Sequence, residues 1–278
     1  NYGEYQQPVS TPANALYAYM LTELGKTFGR PEWIKEGKRV RELLRQAVLA
    51  GKCPDQLTLI PDSFDVSEKG TLHSKGRYSE AAMYTSLWCG LFTPEEAPLL
   101  YRAVRDFMGP APLFAKDPMV GESQLFIGLC IRLDMLARMG AYGKMYEDLL
   151  AICEPQLREG PGTIWENTAI DTSSRCHGFT AHFGVHLMRD VLGLGFTLFD
   201  ADGEGEPVLD IAPHICGLRW ARGTRETPEG IVSVDWRYDG ESFSLRVTAP
   251  AAYECRVVLP KESKMLDESR VSVIVKQY

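Results

Sequence analysis

The chain has 278 residues and a formal net charge of −7; 45% are hydrophobic, 10% aromatic and 24% charged. That much apolar surface repays the entropy of ordering the chain, which excludes bulk disorder, and the length predicts one large or two modest domains. Basic residues are scattered rather than striped and no apolar run reaches the roughly 20 residues that cross a bilayer, so neither nucleic acid nor membrane is an expected partner.

The N-terminal residues carry no basic-then-apolar leader and no initiating Met, so the expectation is that a signal, a tag or a larger piece has been removed. The compartment stays open between cytoplasmic and exported. Thr11-Pro12 then signals a helix start, with Leu16, Met20 and Leu24 at helical spacing to about Phe28. A second helix begins at Pro31-Glu32 and places Val40, Leu43, Leu44, Ala47 and Val48 on one face, completing a hairpin. The stretch from Cys53 to Gly76 reads as irregular, and helix resumes from about Tyr78 to Cys89. Thr93-Pro94-Glu95-Glu96 forms a capping box that predicts a helix to about Phe107. A further hairpin spans about Glu122–Met139 and Tyr142–Pro155, and a seventh helix covers about Phe179–Val191.

Near Gly205 the apolar period changes from 3.6 to 2. Val232, Val234, Trp236 and Tyr238 alternate with polar residues, Asp239-Gly240 predicts a type I′ turn, and Phe243, Leu245 and Val247 follow. Tyr253–Leu259 and Val271–Val275 repeat the alternation, and His214–Trp220 reads as an earlier strand. The pattern predicts an all-α part over 1–204 and a small antiparallel β-sandwich over 205–278, and it excludes βαβ folds.

The loop from Gly160 to His177 is the segment richest in chemistry, with Trp165-Glu166-Asn167, Asp171 and Ser173-Ser174-Arg175-Cys176-His177. An indole offers apolar contact to a sugar ring, and a neighbouring carboxylate can give or take a proton. The plainer reading packs Trp165 under the loop and leaves Glu166 solvated or capping.

Gly162 through Trp165-Glu166, Ser174-x-x-His177, Leu192-Gly193, Ile211-Ala212-Pro213, Thr227-Pro228-x-Gly230, Val234-x-Trp236 and Val257-Val258-Leu259-Pro260 together resemble the C-terminal half of the α-L-rhamnosidases of glycoside hydrolase family 78. The resemblance covers roughly residues 155–260. It implies an (α/α)6 toroid followed by a C-terminal β-sandwich, a carbohydrate substrate, no cofactor and no metal, and inverting hydrolysis of terminal α-L-rhamnosides. On it, Glu166 is the water-activating general base, and Trp165 and His177 line the sugar subsite. The family's acid lies in an Asp/Arg/Glu-rich motif with no counterpart in this chain, and the Asn167–Ser173 stretch is shorter than the family's usual spacing. A six-hairpin toroid needs twelve helices, and about seven can be placed here. The expectation is therefore a fragment carrying the base half of a site, inactive by itself, its core completed by a missing N-terminal half or by another copy. A non-catalytic carbohydrate-binding protein of the same fold, or another (α/α)6 glycosidase, is the alternative.

Other constellations read as structural. His182 and His186 stand at zinc-binding spacing but lack an HExxH glutamate and a third ligand. Asp200-x-Asp202-x-Glu204 begins like a calcium loop, yet Ile211 occupies the twelfth position. Gly193-Leu194-Gly195 lacks a preceding strand and a third glycine. Asp62, Asp65, Glu80 and Glu122 are taken as solvated acids that could face a toroid mouth, and Trp33, Trp88 and Trp236 as core. The seven cysteines form no CxxC pair and read as small apolar residues, a weak tilt to a reducing compartment.

Overall fold

Ser10 is the residue that caps the first helix, one position before the expected start. It ends the two-residue strand β1 (Val9–Ser10), and its hydroxyl accepts the Ala13 N–H at the mouth of α1 (Thr11–Thr27). The computed structural model describes residues 8–74, 76–124, 126–160, 162–168, 174–197 and 208–278. These fall into two compact units, one of Asn1–Met139 with Leu150–Thr180, the other of Gly140–Leu149 with Ala181–Tyr278.

In the first unit α1 pairs with α2 (Pro31–Leu49). The two backbones cross closely: a Cβ on Gly37 would sit 2.7 Å from the Ala18 carbonyl oxygen. The face of α1 that meets α2 is therefore built from small residues, Ala15, Ala18 and Gly25. The apolar stripe Leu16, Met20, Leu24 and Phe28 faces outward instead, with Phe28 64% exposed.

The stretch expected to be irregular contains β2 (Ser63–Val66) and β3 (Leu72–Ser74), an antiparallel pair that β1 extends in the order β1-β2-β3. Next come β4 (Tyr78–Ser79) and α3 (Glu80–Trp88), with Ser79 as N-cap. The Thr93/Glu96 capping box forms with both reciprocal bonds but closes a single turn. Pro98 disfavours helical backbone at the residue before it, Ala97 adopts φ −130°, and α4 (Pro98–Phe107) begins only after that break. β5 (Val120–Gly121) pairs parallel with β4 just before the expected helix start at about Glu122, and α5 (Phe126–Arg138) begins about one turn later. α6 (Tyr142–Glu159) runs one turn past Pro155. Ile60, Met83, Tyr84, Phe92, Leu100 and Val104 are fully buried in the core of this unit.

Charged residues are buried with them, Arg132, Asp106 and Glu80 among them. Glu80, expected on the surface, is 2% exposed. One carboxylate oxygen accepts the Gly109 N–H at 2.9 Å, the other the Ser123 N–H at 3.0 Å, and Lys116 Nζ stands 3.4 Å away.

A helical run that tightens and loosens along its length leads from the last residues of the first unit into the second: a 3-10 turn over Gly178–His182, α7 (Phe183–Val185), then a π-helical turn over His186–Val191. The strands follow: β6 (Leu194–Thr197), which the Gly193-Leu194-Gly195 stretch had concealed, β7 (Val208–Ile211), β8 (Trp220–Thr227), β9 (Gly230–Tyr238), β10 (Phe243–Ala249), β11 (Glu254–Val257) and β12 (Val271–Gln277). They form a four-stranded sheet β12-β10-β9-β8 and a three-stranded sheet β11-β7-β6. The β10–β12 and β7–β11 pairings are parallel and the others antiparallel. The strand expected at His214–Trp220 starts only at Trp220. The Asp239 turn is a four-residue connection whose carboxylate accepts the Glu241 and Ser242 N–H groups. Val232, Val234, Trp236 and Val247 are fully buried, and Trp236 Nε1 donates to the Val191 carbonyl at 3.2 Å.

Beneath that helical run lies a polar cluster. His186 Nδ1 is 2.7 Å from Asp190 Oδ2, and His214 Nδ1 is 2.7 Å from the Asp190 carbonyl oxygen, with the Tyr142 ring stacked on His214. Burial opposes ionisation of Asp190, yet bonds from His186 and Arg189 hold its carboxyl below its ordinary value. Burial holds His214 below the usual histidine value, outweighing the nearby Asp190 groups.

Glu80→Ala should destabilise the chain by about 3–5 kcal/mol in urea denaturation, because the buried Gly109 N–H and the part-buried Ser123 N–H lose their acceptor together and Lys116 loses one of its two carboxylate partners. A depressed native pKa at His214 means the unfolded chain takes up a proton first as pH falls below roughly 6.5. Stability is therefore lost on that descent, and urea midpoints between about pH 7.5 and 5.5 should fall less in a His214→Gln variant.

Candidate functional site

The end of α6 positions the loop that bears Glu166. Gln156 is buried, its side-chain N–H bonded at 2.9 Å to the Ile152 carbonyl of its own helix. Its other arm accepts the Trp165 backbone N–H at 2.9 Å. Gly160 closes the helix and leaves room for the indole, since a Cβ there would stand 2.8 Å from Trp165 Cζ2 and 2.7 Å from the Gln156 carbonyl oxygen.

Trp165 is 2% exposed, so its ring is packed under the loop and is not an open platform for a sugar. This corrects its expected place in the lining of a subsite. The indole N–H is buried and has no partner among the described residues.

Burying Trp165 fixes the residue after it. Two antiparallel segments pair here: Glu166 N–H donates to the Ser174 carbonyl at 2.9 Å, and His177 N–H to the Ile164 carbonyl at 2.8 Å. The Thr163 hydroxyl donates to the Arg175 carbonyl. This pairing brings Ser174 and His177, distant from Glu166 in sequence, to the same piece of the loop. The Glu166 carboxylate accepts the Ser174 N–H through Oε2 at 3.1 Å, and the residue is half-buried. A carboxylate has acceptor capacity beyond one N–H, which leaves room to hold a water or a sugar hydroxyl. Downstream, Thr168 N–H donates to the Gln124 carbonyl at 3.1 Å, tying the loop to the residues before α5. Asp171 and Ser173 lie outside the described residues, as do Asp200, Asp202 and Glu204.

The other acids have separate employment. Burial raises the Asp62 carboxyl above its ordinary value, with the Ser79 hydroxyl donating to it at 3.0 Å. Glu122 pairs with Lys116 at 3.1 Å. A cavity of about 390 Å³ beside Glu80 is lined mainly by apolar side chains such as Leu59, Phe107 and Met108. His182 meets His186 edge-on with ring centroids 5.0 Å apart, and no group of three or more His, Cys, Asp or Glu among the described residues could hold a metal. All seven cysteines are free thiols. Among the described residues no helix is long and apolar enough to cross a membrane. Gln156 was missed by sequence reasoning: an amide in an otherwise amphipathic helix carries no local sign that it will serve a loop.

The fold is a helical part followed by a β part, and comparison with known proteins places it among solved structures. Residues 208–272 match the sequence family described as the bacterial alpha-L-rhamnosidase C-terminal domain. The chain is similar in structure to a GH78 family rhamnosidase of Bacillus sp. GL1, with a TM-score of 0.73 and 22% identity over 97% of this chain and 27% of that one. It is also similar to the alpha-L-rhamnosidase from Dictyoglumus thermophilum, with a TM-score of 0.58 and 17% identity over 88% of this chain and 26% of that one. Curated protein sequences gave no match. The chain thus shares its fold with these rhamnosidase structures, its residues 208–272 match the rhamnosidase C-terminal family, and it spans about a quarter of the length of the structures it resembles.

Gly160→Val should force the indole out of its seat. The expected result is a loss of about 1–3 kcal/mol in thermal or urea unfolding and a changed near-ultraviolet circular dichroism band.

Proposed function

We propose that the chain carries the general-base half of an inverting glycosidase site acting on terminal α-L-rhamnosides, with Glu166 as the base. The observation behind this reading is the way Glu166 is held: buried Trp165 anchors it on one side, Ser174 pairs with it on the other, and its carboxylate is only half covered. In such a reaction Glu166 takes a proton from water as the water oxygen attacks the anomeric carbon. The bond to the leaving oxygen breaks on the opposite ring face, where an acid about 6.5–9.5 Å away supplies the second proton. That acid belongs to sequence outside this chain. His177, kept beside the Glu166 segment by its bond to Ile164, contacts sugar hydroxyls, and Trp165 acts beneath as the floor that sets the position of the base.

The reading includes a helical domain completed from outside. The outward stripe of Leu16, Met20, Leu24 and Phe28 is an apolar helix face of the kind a neighbouring helix covers, and it supports an (α/α)6 toroid closed by a preceding segment of a longer parent.

In a parent protein of rhamnosidase length, Glu166→Gln should lower release of the phenol from an aryl α-L-rhamnoside by about 10²–10⁴-fold with KM little changed. The first-formed sugar should be the β-anomer by NMR. Near wild-type turnover would overturn Glu166 as base, and a first-formed α-anomer would overturn inversion.

A further inference from the structure

The outer face of the sheet β12-β10-β9-β8 carries a pattern that the glycosidase reading does not use. Alternation along β9 buries Val232, Val234 and Trp236, so Ser233, Asp235 and Arg237 point the other way. Register then extends that polar face across the sheet. Trp220 stands beside Arg237 and Arg222 beside Asp235, while Arg246 of β10 flanks Asp235 from the other side. Trp220 is 64% exposed, far more than a ring of that size retains when it serves a core. On the other side of Arg237, over β9, β10 and β12, lies a concavity of about 180 Å³ lined in part by Asp235, Arg237, Ser244 and Arg246.

The charge on this face is opposite to that of the chain. The protein's formal net charge is −7, yet here Arg222, Arg237 and Arg246 surround Asp235, with Glu226 on the same face farther along β8. The ion pair within the group is a loose one, Arg237 to Asp235 at 3.8 Å with Arg237 largely exposed. Arg222 and Arg246 have no ion pair among the described residues.

From this juxtaposition we infer that the outer face of the β12-β10-β9-β8 sheet binds a uronate-bearing polysaccharide. Guanidinium groups match carboxylates in a two-point fork. An exposed indole offers an apolar surface to the CH face of a pyranose, and Asp235 with Ser244 supplies acceptors for sugar hydroxyls. Nucleic acid fits less well, because duplex DNA presents a charge every ~1.7 Å to a net acidic protein, with an aspartate at the centre of the patch. The sheet and the Glu166 loop belong to different units of the chain, so the inference stands or falls independently of the catalytic assignment.

The test is affinity electrophoresis of the 278-residue chain in gels containing polygalacturonate, neutral dextran or duplex DNA. Retardation is expected with polygalacturonate alone, and it should vanish near 1 M salt, where the screening length is about 3 Å. The combined Arg222→Ala, Arg237→Ala and Arg246→Ala variant should migrate freely. Trp220→Ala should weaken binding roughly three- to tenfold while keeping the salt dependence. All four positions are exposed, and circular dichroism checks that each variant is folded. Absence of retardation, equal retardation of the triple arginine variant, equal retardation by DNA, or an unchanged Trp220→Ala variant would each overturn the assignment.

Discussion

A carboxylate can be buried only where donors surround it, and Glu80 meets that condition by drawing donors from separate segments. Gly109 follows α4, Ser123 follows β5, and Lys116 lies in the connection between them. One side chain at the start of α3 thereby sets where α4 ends and where the chain turns toward α5. The constraint reaches the candidate site within two further links. Ser123 and Gln124 are consecutive, and the Gln124 carbonyl receives Thr168 N–H from the loop that carries Glu166. Glu166 is thus located from one side by a buried charge and from the other by Gln156 at the end of α6.

Within the loop, an apolar residue does the positioning and a polar one is positioned. Trp165 buries a large ring at the expense of an indole N–H with no partner among the described residues, a group whose desolvation costs about 1–3 kcal/mol. Burial of the ring offsets that loss by placing Glu166 and Ser174 in register. The stacking role first assigned to Trp165 and the anchoring role it has are alternatives, since a ring that is 2% exposed cannot also meet a sugar.

The second unit depends on division of labour between faces. Trp236 closes the inner face of the large sheet, and its N–H is satisfied by Val191 at the end of the helical run. The same alternation that buries Trp236 turns Asp235 and Arg237 outward. A compact β domain therefore presents a polar surface whose composition the core does not dictate.

The periodicities were enough to read the order of architecture. Helical spacing located α1, α2, α3, α5 and α6, alternation located β9, β10 and β12, and Trp165-Glu166 stood out as a candidate by chemistry alone. Local patterns erred where a distant partner competed. Leu16, Met20 and Leu24 have the spacing of a buried face, but the close approach of α2 at Gly37 favours the small-residue face of α1. The capping box at Thr93 formed, and Pro98 still delayed its helix. Glu80 looked solvated because an acid at a helix start is ordinary, and its donors lie 29 and 43 residues away. The sequence by itself determined the succession of helices and strands and singled out Glu166 as a candidate carboxylate, since both follow from side-chain type and local period. Only the tertiary structure decided that Trp165 is a floor, that Glu80 is a buried tie and that Ser174 and His177 join Glu166, because those roles arise from contacts between residues that no local pattern connects.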